Sequence, residues 1–431
     1  MLHYQLIAPL CPRPPLYIYG RKELGPMKKL MRNPIAVLVC GMASLLLFGL
    51  IYVWSIFVAP LEAEFGWTRA ETSVAYPLSM LCLFVGMALN GVLAARLSQK
   101  TALMLGITLA VSGFLGSSCT VSLFTLYLFY GVFVGTGIGI CYNAWLTGVV
   151  HWFPGRSGFV SGILLAGFGM GGLLFSPLLS HFVTSGPGWR NVFRMIGIVL
   201  LAVSVLTAGF LLQEPPQAGN GKKDSSASHN FTTRQMLTSP SFYLFSIWKV
   251  ILSLLGQAVI GQAALIAADI GMPATLSAIG VGLLSAGNGL GRPLSGWLAD
   301  RFGSWKLMVA LSAIFVFLSI GMVAAYQGSY AHLLILLFVL LGLAYGSMAL
   351  LASSFTGEIY GMKYYRLNYG VVSSTSIVGT LVASYISIIK TATGSYLNFF
   401  YIMIGASLFS FLSVVILPFS IRRMNRKYAH T

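Results

Sequence analysis

The chain has 431 residues, of which 57% are apolar and only 8% are charged, and its formal net charge is +17. This composition excludes an ordinary soluble domain and is typical of a protein that crosses a membrane many times. The positive charge alone could indicate a nucleic-acid partner. The apolar composition and the placement of the basic residues, described below, predict no such partner.

Apolar runs near twenty residues long, the length that spans a bilayer as a helix, recur along the chain. Strands are excluded because these runs are long and rich in Gly, Ala, Ser and Leu, whereas barrel strands are short and alternate in polarity. The predicted fold class is therefore an all-α membrane protein. The runs predict twelve transmembrane helices, at about 34–60, 68–95, 101–120, 122–149, 156–183, 189–212, 240–268, 275–299, 304–326, 331–354, 367–389 and 396–418.

The basic residues predict which helix ends face the cytoplasm. If both termini and every even-numbered connection are cytoplasmic, the basic residues left outside are only Arg69, Arg190, Arg194 and Lys390. This asymmetry is what the positive-inside rule requires, so the net charge reflects topology and contact with anionic lipid. We expect a multi-pass protein of the bacterial inner membrane with both termini in the cytoplasm.

Residues 1–33 are predicted to form a cytoplasmic N-terminal segment. The part before Met27 is broken by prolines and lacks the apolar core and the cleavage site of a signal peptide. Met27 then opens the basic sequence MKKLMRNP. We interpret Met27 as the start of translation, with residues 1–26 as a gene-model extension or a disordered tail.

Several tyrosines within the predicted helices are candidate substrate ligands, because each offers a hydroxyl donor at the tip of an apolar ring. Tyr142 is the first choice, since it shares a helix face with Gly135 and Gly139. The alternative for each tyrosine is packing with a satisfied hydroxyl or anchoring at the membrane interface. The candidates are Tyr52, Tyr76, Tyr142 and Tyr345, on helices one, two, four and ten.

A polar stretch rich in Pro, Gly, Ser and charge follows the sixth helix and predicts a cytoplasmic linker at 213–239. It divides an N-terminal six-helix bundle, 34–212, from a C-terminal one, 240–418, and leaves a cytoplasmic tail at 419–431. GVLAARLSQK at 91–100 resembles GWLADRFGSW at 296–305, an offset of 205 residues. Such parallel repeats predict two pseudo-symmetric bundles. The alternative is a chance similarity between two cytoplasmic turns.

Lys249 is an ionisable residue on the predicted seventh helix. Ser246, Ser253, Gly256 and Gln257 share its helix face, so it is predicted to face a polar interior. There it would neutralise a second carboxylate of a substrate or add to the attraction for an anion. The alternative is that its long side chain reaches back to the interface.

Arg292 lies deep in the predicted eighth helix, where a buried charge is a functional candidate by default. Ser285, Asn288 and Ser295 recur with it at three- and four-residue steps, which predicts one polar face toward protein or a water-filled cavity. The planar guanidinium suits a carboxylate ligand, and Asn288 could complete its hydrogen bonds or orient the guanidinium. The alternative is that Arg292 snorkels or binds backbone carbonyls near the cytoplasmic end.

Twelve helices, a central loop and GWLADRFG after helix eight resemble the major facilitator superfamily. Within it, FGWTRAETS at 65–73, GTGIGICYNAWLTGVVHWFPGRSGFVSGILLAGFGMGG at 135–172 and NGLGRPLSGWLADR at 288–301 look like the monocarboxylate porters and the related oxalate/formate antiporters. The resemblance covers nearly the whole chain. It implies that the arginine of the Arg292-Pro293 pair anchors the substrate.

The resemblance also implies a conformational gate at the cytoplasmic turns, formed by ion pairs and helix-end contacts. The gate candidates are Asp300, Arg301, Arg96 and Arg156. Ala95 stands where the second repeat has Asp300, so Asp300 is expected to contribute more; the alternative is an ordinary surface pair.

Three positions depart from relatives in this group. Asn288 stands where animal members carry an aspartate, Tyr52 lies near the place of their first-helix lysine, and serines and Thr375 replace a helix-eleven lysine of the antiporters. One firm cation, Arg292, favours a monoanion over a dianion.

The sequence contains no Walker loop, no H-E-x-x-H and no metal-binding spacing of histidines, so we expect neither an enzyme nor a cofactor or metal site.

Three hypotheses for the function follow from the sequence. The first hypothesis is a secondary transporter for a small monocarboxylate of the lactate or pyruvate type, acting as a monomer with a proton as co-substrate. The second is an antiporter that exchanges a dicarboxylate for a monocarboxylate, with a counter-anion in place of the proton. The third is a non-transporting sensor on the same fold.

Overall fold

A computed structural model describes residues 33–93, 97, 99–211, 230–383 and 385–428. Every regular element in these ranges is a helix. The first six long helices, α1 to α6, are Pro34–Phe65, Glu71–Leu93, Lys100–Ser117, Leu123–Val150, Ser157–Thr184 and Trp189–Phe210. In the second half, α7, α9, α10 and α12 are Pro240–Asp269, Ser304–Gln327, Ala331–Tyr360 and Leu397–Tyr428. Within the described ranges, these 10 helices are long and apolar enough to cross a membrane.

Two further helices complete the set of twelve. α8, Ala274–Phe302, is less apolar because Gly, Ser, Asn288 and Arg292 interrupt its sequence. α11 consists of three consecutive segments, Tyr365–Ser374, Ser376–Ala383 and Tyr385–Thr393. The predicted all-α fold with twelve transmembrane helices is therefore confirmed.

Local sequence fixes where the first helices begin and end. The side chain of Asn33 accepts a hydrogen bond from the Ile35 amide at the start of α1, and Pro34 occupies the first turn, where its missing N–H costs nothing. Gly66 ends α1 with a φ of 68°, which a residue with a side chain rarely adopts. Thr68 and Glu71 then form a reciprocal capping box before α2.

Close helix crossings recur in the two halves, and their glycines on α2 and α8 are separated by the same offset as the sequence repeat. A side chain at Gly86 of α2 would overlap the backbone carbonyl of Thr136 in α4. A side chain at Gly291 of α8 would overlap the carbonyl of Leu343 in α10 in the same way. Glycine is needed at both crossings because the backbones touch. The two halves are thus built on equivalent contacts.

The two halves meet through α5 against α8 and α10, and through α2 against α11. We call the side of the bundle where α1 begins and α12 ends the terminal face. The described hydrogen bonds between the halves lie at mid-depth or between there and this face, for example from Asn143 Nδ2 to Arg366 O and from Ser353 Oγ to Ser161 Oγ. The structure is therefore closed at the terminal face.

Some predicted boundaries lie outside the described residues or differ from the helices observed. Residues 1–32 and most of the predicted linker fall outside, although the described part of that linker contains a short helix, Thr233–Leu237. α12 continues past Pro418, its predicted end, to Tyr428. The basic residues in its last turn favour this extension, because they lie at the negative end of the helix dipole. The division into five segments stays a prediction.

Candidate functional site

A cavity of about 140 Å³ lies between the two halves. Its wall combines residues of α1, α2, α4 and α5 from the first half with residues of α7, α8, α10 and α11 from the second. No Asp or Glu is among the described residues that line it, whereas two cationic side chains are. The structure brings five of the predicted site residues to this one cavity: Tyr52, Tyr142, Lys249, Arg292 and Tyr345.

Arg292 reaches across the boundary between the halves. One of its terminal nitrogens donates a hydrogen bond to the backbone carbonyl of Leu165 on α5. Its Nε is buried, and among the described residues it has no hydrogen-bond partner. A side chain at Gly169 would lie 2.7 Å from Cζ of the guanidinium, so glycine makes room for the arginine. A guanidinium carries five donors, and donors therefore remain for an anion in the cavity.

Lys249 is almost fully buried, with 4% of its surface exposed. Its Nζ donates to the carbonyl oxygen of Val372 at 2.6 Å and to that of Ser373 at 3.4 Å, and to Thr375 Oγ1 at 3.3 Å. The alternative in which Lys249 reaches back to the interface is therefore wrong, because neighbouring oxygen atoms of α11 hold the ammonium inside the bundle. It lines the cavity but is already hydrogen-bonded.

The tyrosines lie on both sides of the cavity. Tyr52 and Tyr142 both contact the ring of Phe168 edge-on, with centroids 5.2 and 4.8 Å away. Tyr345 interacts through its hydroxyl with Gln257 and Ser253 on α7. Tyr76 is not in the wall; its ring lies 6.5 Å from that of Tyr52.

The predicted polar face of α8 lines the cavity only at Arg292. Ser285 is exposed and donates to the carbonyl of Val281, and Ser295 is buried and donates to Gly291 and Arg292 carbonyls. Ser295 therefore faces protein, one of the two predicted surroundings, and neither serine is in the described wall of the cavity. Each hydroxyl is instead satisfied on the preceding turn, as is common for a serine in a helix. Asn288 is also absent from the described wall, and Gly342 and Gly346 of α10 pack against its backbone.

Sequence reasoning missed several residues of the wall. Tyr369 on α11 is one of them, and its hydroxyl interacts with that of Tyr142 across the boundary between the halves. The tyrosine in the sequence NYG at the start of helix eleven was the available signal. The sequence gives no such signal for Met80, Met87 and Phe168, because the pattern of an apolar helix does not show which apolar residues face a cavity.

The predicted gate residues lie at the terminal face. Both carboxylate oxygens of Asp300 accept hydrogen bonds, each 2.8 Å long, from the amides of Gly158 and Phe159 at the start of α5. Arg156 and Arg301 are exposed, and Arg301 lies 5.6 Å from the centre of the Trp297 ring. Among the described residues Asp300 forms no ion pair, so the contact is between a carboxylate and a helix end. Arg96 lies outside the described residues.

Two six-helix halves around a central cavity define the class: an α-helical membrane transporter. The model of the Major Facilitator Superfamily matches residues 37–325 and 250–428. The chain belongs to this superfamily. Its fold is similar to that of the proton:xylose symporter XylE, with a TM-score of 0.66 and 14% identity over 89% of this chain and 95% of that one. FucP in the outward conformation gives a TM-score of 0.63 and 16% identity over 92% and 99%.

Two relatives whose names state a transport activity show which group within the superfamily this chain resembles. The oxalate:formate antiporter of Oxalobacter formigenes is 26% identical over 397 residues, which are 91% of this chain and 91% of that protein. Monocarboxylate transporter 13 of Rattus norvegicus is 24% identical over 390 residues, 89% of this chain and 88% of that protein. The predicted resemblance to the monocarboxylate porter and oxalate/formate antiporter group is confirmed.

Proposed function

We propose that the protein is a secondary active transporter that moves a small monocarboxylate of the lactate or pyruvate type, together with a proton, by alternating access. The observation that carries this proposal is Arg292, a cation at one central cavity whose described wall holds no carboxylate, with its buried Nε lacking a partner among the described residues. Uncompensated positive charge in a low-dielectric site attracts an anion. The relatives are transporters, and we propose transport rather than catalysis as the activity.

Arg292 is proposed as the substrate anchor, because a guanidinium binds a carboxylate through two parallel hydrogen bonds. Tyr52, Tyr142 and Tyr345 lie on the same wall and offer hydroxyl donors to the remaining polar groups of the substrate. Asn288, four residues before Arg292, is proposed to act only through that arginine, since it is not in the wall. A proton would cross as part of the carboxylic acid, because the described wall has no Asp or Glu to carry it.

An antiporter that exchanges a dicarboxylate for a monocarboxylate is the second candidate. Lys249 favours it, since a second cation at the same cavity suits a second carboxylate. The hydrogen bonds of Lys249 to α11 oppose it, because a carboxylate would have to displace those oxygen atoms from the ammonium. We therefore rank the monocarboxylate first.

The terminal face is proposed to be cytoplasmic, in a bacterial inner membrane, because the basic residues concentrate on that side. The structure would then be the state closed to the cytoplasm. Gate contacts such as Asp300 with Gly158 would stabilise that state and break when the halves rock. The protein is proposed to act as a monomer.

Uptake by the wild-type protein in proteoliposomes tests the proposal. Radiolabelled lactate, pyruvate, formate and oxalate are each offered with and without an inward proton gradient, and with and without unlabelled oxalate or formate inside. Lactate or pyruvate uptake that the proton gradient stimulates is the expected result. Oxalate uptake that needs internal formate and ignores the gradient would establish the antiporter. No uptake of any of the four would contradict both candidates.

A further inference from the structure

α11 is interrupted at Thr375, between the segments Tyr365–Ser374 and Ser376–Ala383. We call this point the α11 break. A helix end leaves carbonyl oxygens without partners inside the helix. Here the Val372 carbonyl accepts from the amide and the hydroxyl of Thr375, at 3.3 and 2.7 Å.

The ammonium of Lys249 on α7 donates further hydrogen bonds to oxygen atoms at the α11 break. It is bonded to the carbonyls of Val372 and Ser373 and to the hydroxyl of Thr375, so all its described partners belong to the α11 break. A positive charge is favourable at the carboxyl end of a helix. An ammonium has three donors, and three oxygen atoms receive them.

The segment that ends at the break forms part of the cavity wall and part of the contact between the halves. Tyr369 and Ser373 line the cavity. On the other side, the hydroxyl of Ser374 donates to the carbonyl of Phe84 on α2 at 3.3 Å, and a side chain at Gly370 would press on Met87 and Ala88. The segment therefore lies between the lysine of its own half and the backbone of the other half.

We propose that Lys249 is a positioning residue for the transport site: its ammonium holds the α11 break against α7 and so fixes the wall that carries Tyr369 and Ser373. It acts on the substrate through α11 rather than by direct contact. Misplacement of a binding group by a fraction of an ångström weakens recognition, so loss of the lysine would be felt by any substrate. The transport part of this inference rests on the proposed function; the structural part does not.

The first test measures access to the α11 wall in the full-length protein, reconstituted without any anion substrate. A cysteine introduced as Ser376→Cys, in a background without the five native cysteines, reacts with a water-soluble thiol reagent at a rate that reports exposure. Lys249→Met removes the charge and keeps the chain length, and Lys249→Arg keeps the charge. We expect Lys249→Met to raise the rate about tenfold, as for loss of a charge-assisted hydrogen bond, and Lys249→Arg to stay near wild type.

An unchanged labelling rate in folded Lys249→Met, judged by size-exclusion profile and thermal unfolding, overturns the proposal. If that variant does not fold, Thr375→Val decides, since it removes one of the three oxygen partners of the lysine. A higher labelling rate in Thr375→Val supports the proposal, and an unchanged rate overturns it. Because this measurement contains no substrate, its outcome is independent of the transported anion.

The second test compares substrates. A positioning role predicts that Lys249→Met raises the KM of every carboxylate that the wild type transports, whether L-lactate, pyruvate or oxalate, by similar factors and that Lys249→Arg restores each of them. Loss of oxalate uptake alone would make Lys249 a direct ligand of a second carboxylate and would overturn the positioning role. Such a result would support the antiporter, whereas failure of both substrates in the wild type would count against the proposed function.

Discussion

Arg292 of the C-terminal half donates a hydrogen bond to the backbone carbonyl of Leu165 in the N-terminal half. The residue proposed to anchor the substrate therefore also joins the halves that must move. A carboxylate bound to the remaining donors would act on the same guanidinium, so we predict that anion binding and the contact between the halves are linked through this one side chain.

Gly169 is predicted to leave the space that the Arg292 guanidinium occupies in that arrangement. In Gly169→Ala the added methyl group would overlap the guanidinium of Arg292, so the arginine must leave its position. We expect the KM for the carboxylate to rise about tenfold, the equivalent of one charge-assisted hydrogen bond. Gly289→Ala on α8 is the control, because its methyl group would meet nothing within 4 Å. Equal KM values for the two variants would contradict the prediction.

Asp300 is predicted to stabilise the conformation closed at the terminal face. Asp300→Asn keeps at most one of the two amide contacts with α5, so the population of the opposite conformation should rise by about tenfold or more. Distances between spin labels on the two halves would measure the shift.

Glu358→Gln is the matched control for that experiment. Glu358 also accepts a hydrogen bond from a helix-end amide, that of Ser304 at 3.0 Å, but both residues lie in the C-terminal half. Although it removes the same charge, Glu358→Gln should leave the populations of the two conformations as they are in the wild type. A shift of similar size in both variants would show that charge alone, and not the contact between the halves, matters.

Tyr142 and Tyr369 are predicted to act as a pair. Their hydroxyls interact across the boundary between the halves, so either Tyr→Phe change disturbs the same contact. Each single variant should raise the KM several-fold, and the double variant should cost less than the sum, with a coupling of about 1 kcal/mol. Tyr243→Phe, on the exposed surface of α7, serves as the control. Strictly additive effects would contradict the pairing.

Hydropathy and charge predicted most of the fold, because the bilayer imposes length and polarity on each helix independently. The repeat at 91–100 and 296–305 indicated two similar halves, but it did not indicate the crossings at Gly86 and Gly291, which lie outside it. What hydropathy could not predict is the α11 break. The α11 break accepts hydrogen bonds from Lys249, a residue more than a hundred positions away on another helix.

The candidate site was most readily predictable where a residue is unusual for its surroundings, although Tyr52, Tyr142 and Tyr345 were also predicted and line the cavity. Arg292 and Lys249 stand out as charges in apolar helices, and both line the cavity. The serines at 285 and 295 share the helix face of Arg292 but satisfy themselves on their own helix, which periodicity alone cannot reveal. The NYG sequence marked Tyr369 as a polar residue of helix eleven, but nothing in the order of residues shows that its hydroxyl reaches Tyr142 on another helix.

The most direct test of the central claim compares carboxylate uptake by the wild type with Arg292→Lys and Arg292→Ala in proteoliposomes. Arg422→Ala, at the exposed end of α12, is the control. We expect no uptake with Arg292→Ala, strongly reduced uptake with Arg292→Lys because an ammonium cannot form the paired hydrogen bonds, and normal uptake with the control. Saturable uptake of a carboxylate that survives in Arg292→Ala with the wild-type KM would contradict the assignment of Arg292 as the substrate anchor.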